Sequence, residues 1–232
     1  MSFILNIETS TEVCSIALAR DGKFIDLYED TEGMNHSKLA AYYVQEILKC
    51  NNLKVDELSA IAVGCGPGSY TGLRIGVSLA KGLCYAHKLP LIAISPLQSM
   101  SSKVICMDKL GISKSDDTLL CPMIDARRME VYMALYDCRL NEVEEVSAKI
   151  IDETSFRGMN NNLILFGNGS EKLQSVLIAD NIRFIPDIKA SAYNMCDLSF
   201  KKFKNKIFED VAYFEPYYLK DFIAGKPKSK IL

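Results

Sequence analysis

The apolar positions of this chain alternate first and turn helical later. Residues 3–7 and 13–19 are short apolar runs separated by the polar stretch Glu8-Thr-Ser-Thr-Glu12. A third run at 24–28 follows Arg20-Asp-Gly-Lys23. Asp-Gly between two apolar runs is a strong hairpin signal, so residues 3–28 predict an antiparallel three-strand meander. From residue 37 the period changes. Leu39, Ala40, Tyr43, Val44, Ile47 and Leu48 recur at helical spacing and predict an amphipathic helix over 37–50, ended by Asn51 and Asn52. Residues 60–63 predict a short strand, 73–86 a second helix and 91–94 another strand, and Pro96 opens a further helix. The order is β-β-β-α-β-α-β-α.

The second half starts the pattern again. The polar stretch at 108–117 reads as a boundary or insertion. Strands are predicted at 119–124, 130–136 and 146–151, a helix near 152–157 and a strand at 163–166. A second glycine turn, Gly167-Asn-Gly-Ser170, opens onto a helical stretch at 171–177. Two related units are expected, at 1–107 and 108–232, the second degraded, with about the last 20 residues returning to the first.

Between the strand at 60–63 and its helix lies Gly64-Cys-Gly-Pro-Gly-Ser-Tyr-Thr-Gly-Leu-Arg-Ile-Gly76. A glycine-rich turn at a helix N-terminus is the geometry of an anion loop. The residues of phosphate chemistry are missing. No Lys-Ser or Lys-Thr follows, and the spacing is neither G-x-G-x-x-G nor G-x-S-x-G. Glu8, Thr9, Ser10 and Thr11 resemble a phosphate hairpin without its glycine, so their hydroxyls are expected to close a tight turn. Gly66, Gly68 and Ser69 complete this degenerate phosphate-loop set. Gly72, Gly76 and Ala80 recur every four residues as a flat stripe that allows close helix approach.

Composition narrows the classes. Lys plus Arg is 27 and Asp plus Glu 29, so overall charge points to neither nucleic acid nor a membrane. Residues 201–232 hold eight lysines against four acidic residues, and this basic tail reads as a solvated terminus or an RNA contact. Eight cysteines stand without a C-x-x-C pair, mostly in apolar runs, as expected of reduced thiols rather than a disulfide frame or zinc site. No leader-like start and no bilayer-length apolar run is seen, and a cytoplasmic protein without metal or cofactor is expected.

Four blocks together resemble the TsaB (YeaZ) family of bacterial tRNA threonylcarbamoyladenosine biosynthesis proteins. They are Ile4-Leu-Asn-Ile-Glu-Thr-Ser-Thr11, Gly66 to Gly76, Asp125-Ala-Arg-Arg-Met-Glu-Val-Tyr132 and Tyr217-Tyr-Leu-Lys220. Glu8 stands where Asp is usual and Lys220 where Arg is usual. The resemblance implies a duplicated ribonuclease-H-like fold of the actin and sugar-kinase superfamily. It also implies a non-catalytic subunit that binds TsaD, works with TsaE, meets tRNA only through the complex and forms a homodimer when alone. The catalytic relative holds metal through a V-N-H-x-x-A-H histidine pair, and Pro96 and Met100 occupy that place here.

The family uses its N-terminal helices for association. That selects Leu39, Tyr43, Ile47, Gly72, Arg74, Gly76 and Ala80 as the expected partner interface. Arg127 and Arg128 at a hairpin tip read as a solvated turn or as contacts to tRNA phosphates. Two enzymatic alternatives stand beside the scaffold reading. One is a weak ATPase or kinase using residues 8–11 and the glycine loop; the other is a glycoprotease-like peptidase.

Overall fold

The computed structural model describes residues 1–33, 35–107 and 117–220. The expected insertion at 108–117 lies almost wholly outside the described residues, as does the end of the basic tail. The first sheet joins β1 (Phe3–Glu8), β2 (Cys14–Arg20), β3 (Lys23–Asp30), β4 (Ala60–Gly64) and β5 (Leu91–Ile94) in the order β3-β2-β1-β4-β5. The second joins β6 (Thr118–Asp125), β7 (Glu130–Tyr136), β8 (Glu142–Ile150), β9 (Asn162–Phe166) and β10 (Ile182–Ile185). Its order, β8-β7-β6-β9-β10, is the same one. In each, an antiparallel meander is extended by two parallel strands. The duplicated α/β architecture is therefore carried by the strands.

Local chemistry sets the elements. Asp21 and Gly22 take φ of 51° and 79° at the β2–β3 turn, the left-handed geometry that Asp-Gly supplies. Helix α1 (His36–Cys50) is followed by Asn52 at φ 52°. Helix α2 (Tyr70–His87) starts three residues before the apolar period suggests, because Ser69 Oγ accepts the Gly72 N–H at 3.3 Å and caps it. Ser95 and Pro96 open α3 (Pro96–Ile105) in the same way.

The second half departs from expectation in its helices. Residues 152–157 form turns, because the Asp152 carboxylate accepts the Thr154 N–H and both nearby hydroxyls, an alternative to helical bonding. The stretch at 171–177 holds only a 3-10 turn, Glu171–Leu173. Strand β8 begins four residues earlier than predicted. Strand β10 and helix α4 (Cys196–Lys204) leave little mark on the apolar pattern, since α4 buries only Cys196, Leu198 and Ser199 and lacks a broad apolar stripe.

The strands of the first sheet are large on one face, while the other mixes alanines with Ile4, Ile92 and Ile94. Leu5, Ile7, Ile16, Leu18, Ile61 and Val63 meet α1 and α2. On the reverse, Ala17, Ala19, Ala60 and Ala62 meet α4 and the short 3-10 turn Ala192–Met195. Strand pleating separates the two sets, and the alanines let α4 lie close. Helix α3 leaves this sheet altogether. Its Leu97, Met100 and Val104 pack against Leu120, Ile124 and Phe166 of the second sheet. Each half thus sends its last helix to the other half's sheet. Beyond α4 the chain straps the β5 edge: the Glu209 N–H donates to the Leu91 carbonyl at 2.9 Å, and the Tyr217 N–H to the Cys65 carbonyl at 2.7 Å.

This exchange predicts that a fragment of residues 1–107 will not fold alone, because its alanine face and α3 are both uncovered. The whole chain should melt in one cooperative transition by circular dichroism, and the fragment in none. A cooperatively melting fragment would show that the exchange is dispensable.

Candidate functional site

The two polar turns singled out from the sequence are pressed together. The β1–β2 turn, residues 8–12, lies under the glycine turn that leads into α2. The Ser69 N–H donates to the Ser10 carbonyl at 2.6 Å. Thr9 Oγ1 donates to the Gly72 carbonyl at 2.8 Å. Cβ atoms at Gly68 and Gly72 would fall well inside contact distance of the Ser10 and Thr9 carbonyl oxygens, so only glycine permits this approach. A phosphate loop offers its first N–H groups to a ligand. Here those of Ser69 and Gly72 are bound by Ser10 and by the cap. Thr11 closes its own turn, its Oγ1 accepting from the Val13 N–H at 3.3 Å. Its carbonyl accepts from His36 Nε2 at 2.9 Å, which ties in the start of α1.

Glu8 is fully buried, with one carboxylate oxygen on the Ser10 N–H at 2.7 Å. Its Oε2 and the Ser10 hydroxyl have no partner among the described residues. A Cβ on Gly64 would come within 2.5 Å of Glu8 Oε2, so the carboxyl sits directly on the β4 backbone. Burial raises its pKa above the ordinary value of 4.5, and the hydrogen bond from the Ser10 N–H opposes that only in part. No cation among the described residues pairs with it. A buried carboxyl held toward its neutral form, beneath a closed turn, is poorly placed to bind a cation or act as a base.

Glu12 reaches the other half. Asn168 Nδ2, in the second glycine turn, donates to Glu12 Oε2 at 2.6 Å, and its Oδ1 accepts from the Asp125 N–H at 3.0 Å. One asparagine therefore joins the β1–β2 turn to the β6–β7 turn.

The expected interface set divides. Gly72, Gly76 and Ala80 are buried inside the chain, Gly72 and Gly76 on Thr9 and Ala80 in the core. This corrects the reading of the stripe as a face for another chain: its small residues let α2 descend onto the β1–β2 turn. Ile47 is likewise core. Leu39 and Tyr43 are half-buried, Tyr43 with its ring 5.6 Å from that of Tyr28. Arg74 is exposed, its guanidinium 4.2 Å from the Tyr70 ring centre. An open apolar groove of ≈ 520 Å³, not foreseen from the spacing of apolar residues, runs between α1 and α2 and is lined by Ala41, Val44, Leu48, Leu53, Leu79 and Leu83. Leu79 and Leu83 flank the stripe at helical spacing, and that was the available signal. On another face of α2, Tyr85 is 84% exposed.

Residues 31–228 match the family model described as TsaD, tRNA N6-adenosine threonylcarbamoyltransferase. The chain belongs to this TsaD-related family, as a member of its TsaB (YeaZ) type. It is 29% identical over 235 residues to the tRNA threonylcarbamoyladenosine biosynthesis protein TsaB of Escherichia coli K12, covering 96% of each chain. Against TsaB of Bacillus subtilis 168 it is 37% identical over 143 residues, 62% of this chain and 58% of that one. Its fold matches YeaZ from Pseudomonas aeruginosa with a TM-score of 0.81 at 22% identity, over 94% of this chain and 100% of that chain. The activator of 2-hydroxyisocaproyl-CoA dehydratase from Clostridium difficile shares the fold more distantly, with a TM-score of 0.51 at 6% identity, over 88% of this chain and 97% of that chain.

At the places the resemblance gives to the family's metal-binding histidine pair, Pro96 opens α3 and Met100 fills the second core. His36 and His87 are engaged elsewhere, with the Thr11 carbonyl and with Asp56. Among the described residues no three His, Cys, Asp or Glu side chains gather where they could hold a metal. No helix among them is long and apolar enough to cross a membrane.

Two outcomes follow from this packing. Gly76→Ala places a Cβ against Thr9 Oγ1 and should cost about 1–3 kcal/mol of stability by overpacking, read from the denaturation midpoint, with self-association unchanged. An unaffected midpoint would remove the close-approach argument. Glu8 should make stability pH-dependent. Its folded pKa is raised, so the neutral carboxyl costs nothing below the ordinary value of 4.5, and stability falls as pH rises from there toward the folded pKa. Glu8→Gln should melt like the parent at pH 4 and above it at pH 8, gaining up to about 1.4 kcal/mol per pH unit crossed. Equal melting differences at both pH values would count against a neutral Glu8.

Proposed function

We propose that this chain is a non-catalytic scaffold and activator in the threonylcarbamoyladenosine modification of tRNA, binding a TsaD subunit through the α1–α2 face. The observation that carries the reading is the pairing of a closed turn with an open groove. The glycine turn that would cradle phosphate is filled by the chain's own β1–β2 turn. The apolar surface left open lies between α1 and α2, with Ala41, Gln45 and Lys49 exposed at its rim. An apolar centre with a polar rim is the composition of a protein interface. The TsaB names of its relatives support the pathway. TsaE joins the assembly, the groove serves a homodimer when the chain is alone, tRNA is met in the complex, and the work is cytoplasmic.

The test is co-purification with the cognate TsaD, followed by tRNA modification in the presence of TsaE and the threonylcarbamoyl donor. Ala41→Glu places a charge in the groove from an exposed helix position. It should leave the melting temperature within a degree or two, yet abolish TsaD binding and reduce modification to the level without this chain. Full TsaD binding by the folded variant would reject the α1–α2 face. Threonylcarbamoyl transfer by the parent chain alone would reject the non-catalytic role.

A further inference from the structure

Arg127 and Arg128, in the turn between β6 and β7, both hold positive φ, 72° and 54°. Residues bearing a Cβ disfavour that region, which glycine and asparagine occupy more readily. Two successive arginines thus stand where Asn-Gly would suit the backbone better. The turn is held firmly. The Ala126 N–H donates to the Glu130 carbonyl at 3.1 Å, the Glu130 N–H to the Arg127 carbonyl at 3.2 Å, and the Arg127 N–H to Asp125 Oδ1 at 3.1 Å. Both arginines are exposed.

The two carboxylates that flank the turn are already matched. Asp125 pairs with Lys172 and Glu130 with Lys220. Among the described residues no carboxylate pairs with either guanidinium. The turn therefore presents two fixed cations beside neutralised acids, in a chain whose formal net charge is −2. A solvated turn gains nothing from arginine at two unfavourable backbone positions. A phosphate-binding turn does, because the guanidinium fork offers parallel N–H donors to phosphate oxygens.

We propose that the β6–β7 turn is an RNA-contact site, with Arg127 and Arg128 binding the tRNA phosphate backbone on the half of the molecule that does not carry the α1–α2 groove. The choice of tRNA among polyanions rests on the function proposed above; the fit to a phosphate backbone does not.

The test measures the affinity of a fluorescein-labelled, unmodified tRNA transcript for the full chain, alone and with TsaD, between 50 and 200 mM salt. Arg127→Asn/Arg128→Gly removes both charges and relaxes the backbone. It should melt no lower than the parent, bind tRNA about tenfold more weakly at the lower salt, and lose about one unit of salt slope per lost phosphate contact. Arg127→Lys/Arg128→Lys should keep most of that slope. A folded Asn/Gly variant with the parent's affinity and slope would overturn the proposal, as would a parent chain that binds no tRNA in either setting. TsaD binding is read in parallel. Failure to bind TsaD with the RNA results as expected would remove the scaffold reading and keep the site; intact TsaD binding with unchanged RNA affinity would do the reverse.

Discussion

The contact between the glycine turn and the β1–β2 turn organises the first half of the molecule. Two backbone segments approach so closely that side chains at Gly68 and Gly72 would collide with carbonyl oxygens. The approach is held by the 2.6 Å bond from Ser69 to Ser10 and the 2.8 Å bond from Thr9 to the Gly72 carbonyl. It fixes where α2 begins, and His36 carries the constraint on to α1. The groove between those helices therefore depends on a turn that itself faces inward. The Ser69 and Gly72 N–H groups, which could meet an anion, meet the chain instead.

The halves are joined by exchange rather than by a flat interface. Helix α3 completes the second core and α4 completes the first. Four alanines on the receiving face of the first sheet, set among Ile4, Ile92 and Ile94, let α4 lie close to it while contributing few large side chains. Asn168 adds a polar tie between the β1–β2 and β6–β7 turns. Where the helices of the second half are reduced to turns, Phe156, Leu173 and Leu177 still cover its sheet, so the core survives the loss of regular structure.

Charge is distributed unevenly around this frame. Glu8 is buried without a counter-ion among the described residues, and desolvation raises its pKa. Asp125 and Glu130 are matched by lysines on segments remote in sequence. Arg127 and Arg128 keep their charge toward solvent from a backbone that does not favour them.

Strand alternation, Asp-Gly and Asn punctuation and the Ser-Pro helix start made most of the first half legible from the chain alone, because these are local effects. The repeat of meander and glycine turn was legible too, and with it the duplicated fold. The small-residue stripe was visible at Gly72, Gly76 and Ala80, but its partner was not. Spacing states that something comes close; it does not say whether that is Thr9 of the same chain or a second protein. The groove was hidden for the same reason, since Leu79 and Leu83 look like core residues until α1 is placed beside them. Strand β10, helix α4 and the exchange of helices belong wholly to tertiary structure. Their local signals are weak: the sheet face that receives α4 lies more than a hundred positions away, β10 is held by pairing with β9, and α3 packs on the strands of the other half.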